Sequence, residues 1–181
     1  MVTERTFSSL GPHTPYTRVM ALAIRPAIDI AAVLGHPGPE PVVLLQDPRD
    51  LGNLGAAVRV AAAASCAGVV TTGLHDPWSP PALRGSCGLH YAVPVGQAES
   101  LPACSRPLVA IDPSGSPFDP AALPERSVVT FGTERYGLTA ELLQRADYTF
   151  KVPMQEGVSS LNLATCVAAV LFAWRLFHST S

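Results

Sequence analysis

The stretch from Val152 to Phe177 constrains the fold of this chain most. Its first half, Val152-Pro153-Met154-Gln155-Glu156-Gly157-Val158-Ser159-Ser160, reads as a loop. Its second half, Leu161 to Phe177, is interrupted by polar side chains only at Asn162, Thr165 and Arg175. Ser159 or Ser160 is suited to cap a helix there by accepting a backbone N–H. A helix that is apolar on every side must be covered on every side or lie in a membrane. The uninterrupted run, Cys166 to Trp174, falls far short of the roughly 20 residues a span needs, so burial against protein is expected.

At 181 residues the chain suits one domain with a substantial core. Apolar residues make up 48% and charged residues only 14%, which fits a large buried fraction or an oligomer. The formal charge of −2 excludes a global basic field. Yet the cations are lopsided: eleven arginines stand against one lysine, Lys151. Arginine grips phosphate in a planar, bidentate way that lysine does not match. The cysteines, Cys66, Cys87, Cys104 and Cys166, are isolated, and the histidines show no zinc spacing, so no metal site is expected. No basic-then-apolar leader pattern opens the chain, and a cytoplasmic protein is expected.

Residues 1–40 are punctuated by prolines and read as a short extension, with a helix around Ala27–Leu34; residues 41–181 read as the domain proper. Val42–Leu45 is a strand buried on both faces. A loop from Asp47 to Gly55 follows, then a small-residue helix from Ala56 to Ala67, then a strand at Gly68–Thr72. Together they make one βαβ unit. Arg59 lies one turn beyond Gly55 and Ala56, shares their helix face and is expected to point back to the loop at the carboxyl edge of the sheet. Further strands are expected at Tyr91–Val95, Leu108–Ile111, Ser127–Phe131 and Tyr148–Val152. Short helices are expected at Ala82–Gly88 and, capped by Thr139, up to about Ala146. Strands alternating with helices define an α/β class with a mainly parallel sheet and helices on both faces.

Single motifs say little. Gly132-Thr133-Glu134-Arg135-Tyr136-Gly137 has the glycine spacing of a phosphate-binding loop, but Leu138-Thr139 replaces the required Lys-Ser/Thr. Asn53 alone is a turn residue or cap, Glu134 alone a cap, Arg59 alone a surface cation and Asn162 alone a satisfied core polar group. Arg59 does sit in an otherwise Ala/Val-rich helix, where burying it without an anionic partner would be costly.

In combination they say more. Asn53-Leu54-Gly55-Ala56-Ala57-Val58-Arg59, then Phe131 to Leu138, then Val152-Pro153-Met154 with Ser159-Ser160-Leu161-Asn162, resemble the three ordered motifs of the SpoU (TrmH) RNA ribose methyltransferases of the SPOUT superfamily. Asp76-Pro77-Trp78-Ser79-Pro80, Arg84-Gly85-Ser86-Cys87-Gly88 and Val93-Pro94-Val95 are similar to that family too, and the resemblance covers about residues 41–178. It implies a C-terminal trefoil knot, an S-adenosyl-L-methionine cofactor, methylation of a ribose 2′-hydroxyl in tRNA or rRNA, and a homodimer that buries the outer face of the terminal helix. The cofactor would rest on three loops, at Ile111, at Gly132, and from Val152 through Met154 to Leu161. Arg59 matches the catalytic arginine. Because a guanidinium rarely gives up its proton, its expected task is to grip a phosphate and stabilise the forming alkoxide. Asn53, Ser160 and Asn162 would align the hydroxyl, and Glu134 would orient the loops.

The chain lacks the basic extensions of many such proteins, so weak non-specific RNA affinity is expected, with Arg49, Arg59, Arg84 and Arg135 forming any local basic cleft. Two other readings stay open: a catalytically weak relative that binds RNA or cofactor, and an unrelated nucleotide-binding α/β protein.

Overall fold

The computed structural model describes residues 2–11, 17, 19–20, 23–133, 136–158 and 160–179. Six strands form one sheet, β1 (Val42–Leu45), β2 (Gly68–Thr71), β3 (Val95–Gln97), β4 (Leu108–Pro117), β5 (Val128–Phe131) and β6 (Tyr148–Lys151), in the order β3-β2-β1-β5-β4-β6. Every pairing is parallel. Parallel strands need both faces covered, and β1, β2 and β5 are buried along their whole length.

Side-chain alternation divides the core in two. On one face Val43, Leu45, Val69, Val109, Val129 and Phe131 meet the helices α3 (Leu51–Ala63) and α6 (Leu163–Ser179). On the other, Val42, Leu44, Val70, Ala110 and Val128 meet α2 (Ile30–Leu34) and α5 (Ala140–Arg145). The expected α/β class with helices on both faces is therefore present. A short helix α1 (Glu4–Ser9) precedes these, and α4 (Pro80–Gly85) lies beside α3.

The N-terminal segment is tied down by one buried guanidinium. Arg106 donates to the carbonyls of Leu34, His36 and Glu40 at 2.7, 2.7 and 3.0 Å. Arg175, the charge in the apolar terminal helix, donates to the Ala64 carbonyl at 3.0 Å and to Ser65 Oγ at 2.6 Å, so it satisfies the C-terminal end of α3. Among the described residues, no helix is long and apolar enough to cross a membrane.

Four expectations need correction. The first concerns α3, which begins at Leu51 rather than Ala56, because Asp50 caps it by accepting from the Asn53 N–H at 2.8 Å. Gly52, Asn53 and Gly55 are thus helical. Gly55 serves close packing, since a Cβ there would collide with the Ala82 carbonyl of α4. Second, Tyr91–Val95 is not a strand: Leu89–Tyr91 is a 3-10 turn and pairing starts at Val95. Pro94 has no N–H to give and contributes only its carbonyl, to Val69. Third, Asp112–Gly115 is an irregularity within β4 rather than its end, because Ile111 and Ser116 both align with Phe150. Fourth, α6 begins at Leu163. Its cap is Asn162, whose Oδ1 accepts from the Thr165 N–H at 3.3 Å, rather than Ser160; Ser159 lies outside the described residues.

Candidate functional site

Parallel strands bring their carboxyl ends to one edge, where open α/β sheets bind ligands. Here a cavity of about 590 Å³ opens at the ends of β4, β5 and β6. That volume lies in the usual range for small-molecule sites. Ile111, Phe131, Val152, Met154, Leu161 and Leu163 supply apolar walls, while Asp112, Ser114, Thr133, Lys151 and Ser160 supply polar groups.

Three loops build it. After β5 the chain folds into a tight turn: Thr133 N–H donates to the Gly137 carbonyl at 3.1 Å, and Gly137 N–H returns a bond to Thr133 at 3.0 Å. Gly137 takes φ +64° to close this turn. Gly132 lies so close to it that a Cβ would collide with the Gly137 carbonyl carbon. From β4, Asp112 folds back on itself; its Oδ1 accepts from Ser114 N–H at 3.0 Å and Ser114 Oγ–H at 2.7 Å. The third loop, 152–162, leaves β6 and delivers Asn162 to α3, where its Nδ2 donates to Asn53 Oδ1 at 2.9 Å. One bond across 109 positions thus joins the start of α3 to the start of α6.

Ile111, Gly132, Val152, Met154 and Leu161, expected to meet a cofactor, all line this cavity, and Ser160 lines it too. Asn53 and Asn162 meet each other but are not among its lining residues, although Asn162 lies in sequence between the lining residues Leu161 and Leu163. Glu134 and Arg135 lie outside the described residues. Arg59 is elsewhere. Because α3 starts early, Arg59 sits about 12 Å along the axis from the carboxyl edge instead of one turn from it. It keeps the face of Gly55, which packs on α4, and its guanidinium donates to Cys87 Sγ at 3.3 Å.

Sequence reasoning puts the Asp112–Gly115 turn on the ligand edge without singling out Asp112, and it missed Tyr136 and Lys151 as lining residues. The signal for Asp112 was the Asp-Pro-Ser-Gly turn at a strand end, and for Lys151 its place immediately before Val152-Pro153-Met154. Cys166 also lines the cavity, but burial pushes its thiol up to about 11. It therefore stays protonated at neutral pH and acts as wall, not nucleophile. Among the described residues, no cluster of three or more His, Cys, Asp or Glu could hold a metal ion.

A parallel α/β sheet with a nucleoside-sized cavity on its carboxyl edge defines a small-molecule-binding domain of the α/β class. The family follows from comparison with known proteins. Residues 40–172 match the model of the SpoU rRNA Methylase family, and the chain belongs to that family. An uncharacterised tRNA/rRNA methyltransferase of Synechocystis is 34% identical over 140 residues, which are 72% of this chain and 50% of that protein. The 23S rRNA (guanosine(2553)-2′-O)-methyltransferase RlmP of Bacillus subtilis is 27% identical over 184 residues, covering 97% of this chain and 71% of the relative. Among solved structures, the SpoU methyltransferase AviRb of Streptomyces viridochromogenes in complex with AdoMet superposes with a TM-score of 0.77 at 25% identity, over 86% of this chain and 67% of that one. The chain thus spans between half and about seven-tenths of these relatives.

Proposed function

We propose that the protein is an S-adenosylmethionine-dependent RNA methyltransferase acting on a ribose 2′-hydroxyl of tRNA or rRNA. The observation that carries this reading is the cavity itself. All five residues expected at the cofactor line it, and Gly132 lets the chain pack back against Gly137 and Leu138, where a Cβ would collide with their backbone. The fit is chemical as well as steric. Apolar side chains suit the faces of an adenine, and the carboxylate of Asp112, held by Ser114, suits hydroxyl or amino donors. When bound, the cofactor supplies an electrophilic methyl group on a sulfonium. The chain's own residues must then bind the cofactor, place the ribose in line and stabilise the oxygen that loses its proton.

Asn53 and Asn162 hold the starts of α3 and α6 in register, and Ser160 lies on the cavity wall to orient the hydroxyl. Glu134 is proposed to orient the polar loops. Arg59 does not line the cavity of its own subunit. Its role as phosphate clamp and alkoxide stabiliser therefore requires a second copy. We propose a homodimer through the exposed face of α6, in which the partner subunit's Arg59 serves the cavity. That face carries Thr165, Ala169, Phe172 and Leu176, with Phe172 38% and Leu176 67% exposed. The proposed organisation is an extension, 1–40, and a cytoplasmic methyltransferase domain, 41–181, with loop 152–162 and α6 forming a trefoil knot. The bond between Asn162 and Asn53 supports such a return of the chain.

Calorimetry with S-adenosylmethionine tests the site. Wild-type protein should bind, and Gly132→Ala should bind at least about tenfold more weakly, a loss of roughly 1.4 kcal/mol. Absence of binding by the wild type at millimolar cofactor would remove the reading.

A further inference from the structure

Tyr136 is an aromatic residue out of place. The residue is 72% exposed, whereas Tyr91 and Tyr148 are 51% and 45% exposed and lie against Trp78 and Phe150. It also lines the mouth of the cavity. Tyr136 N–H donates to Thr133 Oγ1 at 3.1 Å, inside the turn closed by the two Thr133–Gly137 bonds.

The ring also has a built neighbour. The guanidinium of Arg49 lies 5.5 Å from its centroid, within reach of a cation–π contact. Arg49 Nε is directed to Asp47 Oδ2 at 3.5 Å. Asp47 is itself held, because its N–H donates to Thr72 Oγ1 at 3.3 Å. Asp47, Arg49 and Tyr136 therefore form an ordered row running from the carboxyl end of β1 to the cavity mouth. An exposed aromatic ring with a guanidinium beside it is a surface on which an unstacked nucleobase settles, and the Arg49 charge, shared with Asp47, adds a cation for the adjoining backbone.

Resting on the methyltransferase reading above, we propose that Tyr136 and Arg49 form a stacking platform for a nucleobase of the RNA substrate, next to the ribose presented at the cavity. Tyr136 is a specificity and positioning residue; it takes no part in the transfer. The row also answers the charge problem. A chain with a formal charge of −2 attracts RNA poorly at long range, so affinity must come from local stacking and a few arginines.

The experiment uses the full chain, labelled S-adenosylmethionine, and total RNA from a strain lacking this protein as substrate. Tyr136→Ala should raise the KM for RNA at least about fivefold with kcat little changed, and Tyr136→Phe should restore it. Arg49→Gln should weaken RNA binding and flatten its salt dependence by about one unit of slope. Cofactor affinity, read by calorimetry, should stay unchanged in Arg49→Gln, since Arg49 does not line the cavity, and should fall far less than RNA affinity in Tyr136→Ala. An unchanged KM in Tyr136→Ala overturns the platform. So does a matching loss of cofactor affinity, which would make the ring a wall for the cofactor. If the wild type transfers no methyl group, the methyltransferase reading fails separately. The platform is then read by anisotropy of a fluorescein-labelled single-stranded oligoribonucleotide, where equal affinities of wild type and Tyr136→Ala overturn it.

Discussion

His90 shows how one buried side chain supports a catalytic candidate from a distance. It is 1% exposed. Because the Pro77 carbonyl can only accept, Nε2 carries the proton and donates to it at 2.8 Å, while Nδ1 accepts from Ser86 Oγ–H at 2.7 Å. This neutral tautomer is satisfied on both sides. Burial lowers the His90 pKa from its ordinary 6.5, outweighing the Pro77 bond. The sign follows: the unfolded chain binds the proton first, so His90 contributes full stability above about pH 6.5 and loses it as pH falls further. Ser86 and His90 flank Cys87, the residue that receives the Arg59 guanidinium. Thermal unfolding of wild type should therefore show a Tm that drops as pH falls below about 6.5, and His90→Gln should flatten that drop. Equal slopes would remove His90 from the acid response. At this scale the lining of the cavity by Ile111, Gly132, Val152, Met154 and Leu161 was legible, because the resemblance puts them on the loops that follow the strands. Tyr136 was not, since only folding brings it to the cavity that Asp112 and Ser114 also line.

Elements were legible where the hydrophobic pattern was strong, as at β1, which spans Val42–Leu45 as expected, and weak where polar caps decide. The start of α3 was missed because Gly52, Asn53 and Gly55 look like loop residues, yet Asp50 caps them into the helix and Gly55 is needed for contact with α4. The start of α6 was missed for a related reason: Asn162 was read as interior when it is the cap. That residue has two separable jobs. Asn162→Asp keeps the cap acceptor but replaces the Nδ2 donor to Asn53 with a carboxylate. Its stability should stay within about 0.5 kcal/mol of wild type while methyl transfer falls. Asn162→Ala should lose both, at a cost of about 1 kcal/mol in denaturant unfolding. If Asn162→Asp is fully active, the bond to Asn53 serves only the fold.

For the whole molecule, a single chain leaves two features unexplained: the exposed apolar face of α6 and the distance of Arg59 from the cavity. α6 does bury Leu163, Val167, Val170, Leu171 and Trp174 in its own subunit, so part of its all-round apolarity is internal, and the proposed homodimer would use the rest. Sequence pattern shows such apolarity but not which part faces a partner. A second copy accounts for both features. Phe172→Glu with Leu176→Glu should give monomers by analytical ultracentrifugation and abolish transfer while leaving the fold intact by circular dichroism. Mixing subunits carrying Arg59→Ala with subunits carrying Gly132→Ala, each inactive alone, should restore part of the activity, because a mixed dimer pairs one intact cavity with one intact arginine. Failure of the mixture to recover would place Arg59 outside the reaction or within its own subunit's site.

The most direct test of the central claim is product analysis. The purified chain is incubated with methyl-labelled S-adenosylmethionine and RNA from a strain lacking it, and the RNA is digested to nucleosides for mass spectrometry. The account predicts label in one 2′-O-methylated nucleoside, absent with Gly132→Ala; label on a base, or no label with cofactor bound, would contradict it.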